Sequence, residues 1–570
     1  MRELENIVDE VVATDVLVIG GGLAGCFAAI AARGRGADVV VMEKADVRRS
    51  GDATFGIDHV GLRHDDPRIS PVSPKEAARK LRENPFVDQR IPYEEVLAET
   101  YDRVMDLERM GCKVRRADGS FIRTPGISPA TVLMMSVDQK KNLAQELGRL
   151  KVKVHNRTMM TDLLTYGGRV AGALGLNTRT GRFILFRAKA VVLATGKATR
   201  LYPNHQAPLG GFVVQGSSPA CCGDGHAAAF RAGARLVNME FSRYTLTPKN
   251  PAWWSSKGSM LHSKPPGLPE PLVDSRGRLL AELVQEEKGI DMLGTGGLYR
   301  KVWEMLKDGQ GPLFYDMTSW PEENQKLITL GNVCERPIVL RYLRESGIDY
   351  RTHRVETSSL IHRCLELGVS GVKIDGQCRT SLPGLYAAGD IAGGTFFSAL
   401  SGAITWGHRA GRFAAEYAAC SELLPVDPGA VAEGRERVFR LLEGTGNLHW
   451  QELEKTIQLL LEDYVGAARN EPRMRRGREL LREVREKLLP QLKAANYHEL
   501  MRSLEVGNIL DVAEMHLLSA LTRRETRFPG IRHYRIDYPH PDEENWRGKI
   551  VSLWREGEDI RIEILPPDQT

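Results

Sequence analysis

The chain has 570 residues, 42% of them hydrophobic, which is enough for two to four domains with a large core at ~100–200 residues each. A formal net charge of +5 is mild at this length, and basic and acidic residues interleave throughout, which argues against nucleic-acid binding. No apolar run approaches the ~18 residues of a membrane-spanning helix, so no direct membrane span is expected; the acidic start MRELENIVDEVV lacks the apolar stretch of a secretion signal, which points to the cytoplasm.

The first apolar strand, Asp15-Val16-Leu17-Val18-Ile19, runs into Gly20-Gly21-Gly22-Leu23-Ala24-Gly25. A small-residue helix is predicted over 26–34, then a second strand, Asp38-Val39-Val40-Val41-Met42, that ends in Glu43. Each part has a job in holding a dinucleotide. Gly20 permits a tight turn, Gly22 lets the backbone approach a pyrophosphate, and Gly25 lets helix and strand close on each other. The helix N-terminus offers unpaired N–H groups and a partial positive charge to the phosphates. Glu43, ~20 residues beyond the first glycine, is placed to accept hydrogen bonds from a ribose diol. Lys44, Ser50 and Gly51, just past it, are expected among the cofactor contacts with Leu23 and Ala24.

Three later segments return to this theme. Alternating stretches at 161–174 and 182–187 read as a meander leading into a buried strand that ends in Ala194-Thr195-Gly196. Gly223-Asp224-Gly225 opens another small-residue helix. Leu385-Tyr386-Ala387-Ala388 is a strand ending in Gly389-Asp390, and a glycine-flanked helix follows with Ser401 and Ile404 in its first turns. Asp390 is placed to bond a ribityl chain. The helix after it aims its N-terminus at the isoalloxazine N1–C2=O, where negative charge builds on reduction. A lone dinucleotide unit has no use for so late a return to its first sheet, so the cofactor expected is FAD.

The rest of the chain differs in texture. Between about 240 and 354, Pro, Trp, Lys and Gly are frequent (Pro251-Ala252-Trp253-Trp254, Lys264-Pro265-Pro266-Gly267), which reads as an inserted, loop-rich unit. After about Cys420 the chain becomes charged and helical, with helical spacing over 431–443, 448–467, 478–489 and 497–523; Gly477 and Pro490 bracket the third as start and stop. The run Arg473-Met474-Arg475-Arg476 reads as a solvated face. From about Glu525 an extended tail ends in one alternating strand, 549–565. The eight cysteines are scattered and none has CxxC spacing, so they read as buried free thiols and no metal site is expected.

With these segments in order, the chain resembles the flavoprotein subunits of the succinate dehydrogenase/fumarate reductase superfamily over most of its length. The family's C-terminal mark, an Arg-Lys-Glu-Ser-Arg-Gly turn and a Tyr-Pro-x-x-Asp-Asp-x-x-Trp tail, appears as Arg523-Arg524-Glu525-Thr526-Arg527, Tyr538-Pro539 and Asp542-Glu543-Glu544-Asn545-Trp546. The proline in Arg527-Phe528-Pro529-Gly530, and Val47-Arg48-Arg49-Ser50-Gly51, are most similar to adenylylsulfate reductase alpha subunits. The resemblance implies an α/β fold in three parts. These are a Rossmann-like FAD-binding domain (1–240 and 355–420), an inserted α+β capping domain (241–354) and a C-terminal helical domain (421–524), with an extended tail (525–570). It also implies an iron–sulfur, ferredoxin-like partner subunit.

Departures from the family bear on the flavin linkage and the substrate. Succinate dehydrogenases tether the flavin through a histidine after Arg-Ser; that place is Gly51 here, which implies non-covalent FAD. The family's His-Pro-Thr-Gly after Met-Glu-Phe is replaced by Ser242-Arg243-Tyr244-Thr245, and its His-Tyr-Thr-Met-Gly-Gly histidine falls near Glu366. The proton-donating arginine is missing from Gly393-Gly394-Thr395-Phe396-Phe397-Ser398, which is also where adenylylsulfate reductases carry a His-Lys pair. Arg243, His262 and Glu366 are the expected catalytic residues. Lys249 and Lys264 are possible anion ligands in the cap, His353 and His362 flank the second hinge, and Phe396 and Phe397 are expected against the flavin or an apolar pocket. The leading reading is an FAD-dependent oxidoreductase subunit that exchanges electrons between a small anionic substrate and the iron–sulfur partner. The alternatives are adenylylsulfate reductase alpha subunit proper, and an electron-relay subunit without its own substrate site.

Overall fold

The computed structural model describes residues 2–52, 58–84, 87–123, 131–134, 138–203, 218–245, 271–285, 295–326, 344–357, 361–527 and 533–566. Its centre is a seven-stranded sheet. In chain order the elements that build it are β1 (Glu10–Ile19), α1 (Leu23–Gly34), β2 (Val39–Glu43), β3 (Lys153–Asn156), β4 (Thr158–Tyr166), β5 (Arg169–Asn177), β6 (Phe183–Leu193), β7 (Leu385–Ala387) and α2 (Ala399–Ala419). The strand order is β3-β2-β1-β6-β5-β4. β1 pairs in parallel with β2 (Val16 with Val39) and with β6 (Ile19 with Leu193), as β-α-β crossovers require.

The stretch 182–187 and the buried strand expected after it form one strand, β6, eleven residues long. Its first half pairs with β5 and its last three residues with β7, so the meander and the late return of the chain share one backbone. Val16, Leu17, Val18, Val40, Val41, Val191 and Val192 are completely buried. Strands covered on both faces have no solvent side, which is why the sequence there is a continuous apolar run and not an alternation.

α1 and α2 cross at close quarters over this sheet. A Cβ at Gly407 would lie 2.3 Å from the Ala24 carbonyl oxygen, and one at Gly411 would lie 2.0 Å from that of Ala28. Only hydrogen fits at those positions, so the small residues of both helices set the interhelical distance.

The helical region consists of Pro428–Glu443, Trp450–Val465, Glu471–Glu483 and Tyr497–Thr522. Side chains cap all four starts: Asp427 accepts from Gly429, His449 from Gln451, Asn470 from Arg473, and Asn496 from His498 and Glu499. Pro428 and Pro472 sit in first turns, where no N–H is needed. Gly477 does not start the third helix. It lies in its middle, buried, where a Cβ would be 2.7 Å from Tyr464 Cβ. The Arg473-Met474-Arg475-Arg476 run exposes its arginines and buries Met474.

The terminal alternating stretch is a hairpin, Ile550–Glu556 and Asp559–Leu565, turned at Gly557. It adds to Leu236–Val237, Gly371–Lys373 and Ala392–Gly393 in a five-stranded sheet. The chain end is thus integrated into the fold and not merely laid on its surface.

Candidate flavin and substrate site

The glycine turn after β1 is forced by space. Gly20 sits at φ +101°, and a Cβ there would meet the Ala194 carbonyl oxygen at 2.4 Å; a Cβ at Gly25 would meet the Gly20 carbonyl oxygen at 1.8 Å. Above Gly22 there is open space, with Gly51 Cα the nearest neighbour at 4.0 Å. The Gly21 carbonyl faces the protein, where the buried Lys140 ammonium and the Ser50 hydroxyl (2.9 Å) donate to it. No side chain caps α1 at Gly22, so its first-turn N–H groups are left for a ligand. The Glu43 carboxylate accepts the Gly21 N–H at 2.6 Å and the Ala45 N–H at 2.6 Å. Each of its oxygens keeps a second lone pair, enough for a ribose diol.

A second group of residues stands beyond this turn. The Thr195 hydroxyl is buried and has no hydrogen-bond partner among the described residues. Gly389 is at φ +79°, with Ala24 Cβ 2.8 Å from where its own Cβ would be. Asp390 Oδ1 accepts the Ala399 N–H at 3.2 Å, at the start of α2. The Ser401 hydroxyl accepts the Gly61 N–H at 2.6 Å, Ile404 is wholly buried, Ala194 backs the Gly20 turn, and Gly196 (φ +77°) lies beside Cys221. Phe396 (φ +49°), just before α2, and Ala399 (φ +56°), its first residue, hold left-handed backbone, strain of the kind that accumulates at binding sites. An orphaned hydroxyl, an uncapped helix end and a cradle over Gly22 all fit a dinucleotide whose far end reaches α2. These residues fit FAD.

Lys44 and Asp224 are brought together, but as part of a buried ion network. The Lys44 ammonium bonds Asp224 Oδ2 at 2.6 Å and Glu505 Oε1 at 2.7 Å, with Cys222 Sγ at 3.5 Å. Arg200 adds Glu505 (2.6 Å) and Glu454 (2.5 Å). Burial pulls Lys44 toward neutrality, but Asp224, Cys222 and Glu505 outweigh it and hold its pKa well above the lysine range. Burial likewise pushes the Glu505 carboxyl up, and Lys44, Arg200 and Arg502 more than reverse that, leaving it far below the carboxylate range. Cys222, Asp224 and Glu505 converge as metal ligands do, but the ammonium already stands among them.

Residues 15–285 match the model of an FAD binding domain, and residues 454–570 that of the fumarate reductase flavoprotein C-terminal region. The chain belongs to the succinate dehydrogenase/fumarate reductase flavoprotein superfamily. It is an FAD-dependent oxidoreductase. An uncharacterized FAD-dependent oxidoreductase of Methanocaldococcus jannaschii is 25% identical over 96% of this chain and 98% of its own length. A chain of the CoM/CoB fumarate reductase of Methanothermobacter marburgensis is 26% identical over 94% and 96%. Among solved structures, adenylylsulfate reductase of Archaeoglobus fulgidus superposes with a TM-score of 0.83 (22% identity, 98% and 96% covered) and E. coli quinol fumarate reductase with 0.76 (20%, 98% and 97%). These two show the shared fold.

The superfamily's C-terminal mark is a buried clamp in this chain. Arg523 is completely buried, with Nε 2.5 Å from Glu240 Oε1 and Nη1 2.9 Å from Glu525 Oε1, and its guanidinium lies between the rings of Phe241 and Trp546. Arg469 donates to the Glu240 carbonyl at 2.7 Å, and His516 Nδ1 to the Met239 carbonyl at 2.7 Å. The helical region and the tail thereby grip Met239-Glu240-Phe241, the segment that leads into the candidate substrate residues.

Strand Ser242–Thr245 pairs with Ile361–Leu365, Arg243 opposite Cys364, and the Glu366 N–H donates to the Phe241 carbonyl at 3.0 Å. So Arg243 and Glu366, far apart in sequence, come from neighbouring strands. Glu366 is buried. His262, Lys249 and Lys264 lie outside the described residues, and His362 is described by its backbone alone. His353 is exposed and bonds within its own 349–353 turn, so it does not join the site. Phe397 packs edge-on against Trp406, and Phe396 against Phe241 and Val369. Arg63, not singled out from sequence, is largely withdrawn from solvent beside Ser401, and burial lowers its pKa. Lys140 and Lys197 were also missed. A lysine directly after Thr195-Gly196 was the one available signal.

Proposed function

We propose that this chain is the flavoprotein subunit of an oxidoreductase that exchanges an electron pair between a small anionic substrate and an iron–sulfur, ferredoxin-like partner. The carrying observation is the convergence of the Gly20–Gly25 turn, Glu43, Thr195, and Gly389-Asp390 with α2 on one cradle. FAD bound there supplies reversible two-electron chemistry at its N5. In this reading Glu43 holds the ribose and the α1 N-terminus the pyrophosphate. Asp390 orients the ribityl chain, and the first turn of α2 faces the pyrimidine carbonyl. Arg243 and Glu366 are the proposed catalytic pair, an anion ligand and a buried carboxyl on adjoining strands, with His262 from the cap as a third group. Among the described residues the cysteines do not converge on a cluster site, which supports electron exit through a partner. Gly51, at φ +78° and facing Gly22, supports non-covalent FAD.

The test is anaerobic. FAD-loaded protein is reduced photochemically and challenged with fumarate, with other small organic anions, and with adenylylsulfate, each with and without a ferredoxin-like acceptor. Reoxidation by one anion supports the proposal, and reoxidation by adenylylsulfate identifies the adenylylsulfate reductase alternative. Reoxidation by the iron–sulfur protein alone sinks the substrate part and leaves a relay subunit. That second reading is favoured by the loop Phe396–Ala399, which lacks the family's substrate cations.

A further inference from the structure

Lys197 is a buried cation beside Asp390, the residue proposed to orient the ribityl chain. Its ammonium is 2.5 Å from Asp52 Oδ2 and 3.7 Å from Asp390 Oδ2. The two acids arrive from different segments. Asp52 follows Gly51, and its other oxygen accepts the Ser218 N–H at 2.6 Å. Asp390 Oδ1 is engaged by the Ala399 N–H, so its carboxylate stands between the Lys197 ammonium and the start of α2. Residues 50–52, 195–197 and 389–390 meet around this ammonium, Gly51 facing Gly22 and Gly389 facing Ala24 of α1. Among the described residues two carboxylates stand against this one ammonium, with the positive end of α2 on the far side of Asp390.

We infer that Lys197 sets the reduction potential of the bound flavin. The inference rests on the cofactor placement proposed above. Reduction adds negative charge at the pyrimidine end of the ring system. In a buried site a fixed ammonium beside Asp390, the proposed ribityl ligand, favours the reduced form, because burial leaves its field weakly screened. Asp52 and Asp390 hold the ammonium and moderate its effect. Lys197 is therefore a positioning and tuning residue. Removing its charge shifts the cofactor toward the oxidised form, and removing Asp52's charge shifts it the other way.

Spectroelectrochemical titration of FAD-loaded wild type, Lys197→Met, Lys197→Arg and Asp52→Asn tests this, with FAD content measured by absorbance. Lys197→Met is expected to bind reduced FAD about tenfold less well relative to oxidised FAD, a fall of ~30 mV in the two-electron midpoint. Lys197→Arg is expected to return most of that shift, and Asp52→Asn to raise the midpoint. An unmoved midpoint in Lys197→Met at full FAD content overturns the inference. If Lys197→Met takes up no FAD, Asp52→Asn decides: a higher midpoint upholds the inference and an equal or lower one overturns it. Undiminished FAD affinity in Glu43→Ala is the separate sign that the cofactor placement is wrong. Weakened affinity there with unmoved potentials shows that the failure belongs to Lys197 alone.

Discussion

Glu43 shows how a residue's place in the chain and its neighbours divide the work. Its position at the end of β2 is a sequence property, but its orientation comes from the two backbone N–H groups it accepts, at Gly21 and Ala45. Replacing it with alanine strips the acceptor from a buried diol. FAD affinity is expected to fall by about 1–3 kcal/mol, read by flavin-fluorescence titration. Gly51 makes the opposite kind of prediction. Acid precipitation of the holoprotein should leave all yellow colour in the supernatant; colour retained in the pellet would mean a covalent link through another residue. The glycines of this site were legible because steric need leaves only one residue type. Lys140, Lys197 and Glu505 were not, because a charged side chain is read as exposed until a partner is known.

Between elements, the contact that decides the site is α1 against α2. Gly411→Ala would press a methyl group into the Ala28 carbonyl, which belongs to backbone and has no rotamer to yield. We expect a loss of about 1–3 kcal/mol of stability in urea denaturation, together with weaker FAD binding, since α1 carries the pyrophosphate-facing N-terminus. A stable Gly411→Ala variant with wild-type affinity would show that the two helices separate freely. Helix existence was legible from spacing, but the starts at Asp427 and Asn470 lie upstream of the positions read, 431 and 478, although their capping is local chemistry. The reading failed where the decisive partner was distant. Gly477 looked like a start signal but makes room for Tyr464. The final hairpin reads as one strand although Arg555-Glu556-Gly557-Glu558-Asp559 breaks its alternation, and the antiparallel pairing of Ile550–Glu556 with Asp559–Leu565 shows that it folds back.

Across the whole molecule, burial of titratable groups ties stability to pH. His226 is wholly buried, and loss of hydration lowers its pKa to about 4; burial and the nearby Arg469 lower that of His516 to about 3. Below pH ~6.5 the unfolded chain binds these protons and the folded chain does not, so stability is complete above that pH and drains away as pH falls toward the folded values. Glu505 follows at lower pH: its stabilising charge is intact above ~4.5 and is lost as it protonates. The urea midpoint should therefore decline from pH 7 to 5 and more steeply below 4.5, and a flat midpoint between 7 and 5 would contradict neutral burial of the histidines.

The cofactor-binding fold is written in the order of residues: glycine turns and buried apolar strands follow from sterics and from contacts between near neighbours. Tertiary structure alone decided which charges are sequestered, how Arg523 and Arg469 grip Glu240, and that Lys197 stands between Asp52 and Asp390. Those outcomes depend on electrostatic partners that meet only after the chain has closed, and the energy of a charge is set by the company it keeps in a medium without water.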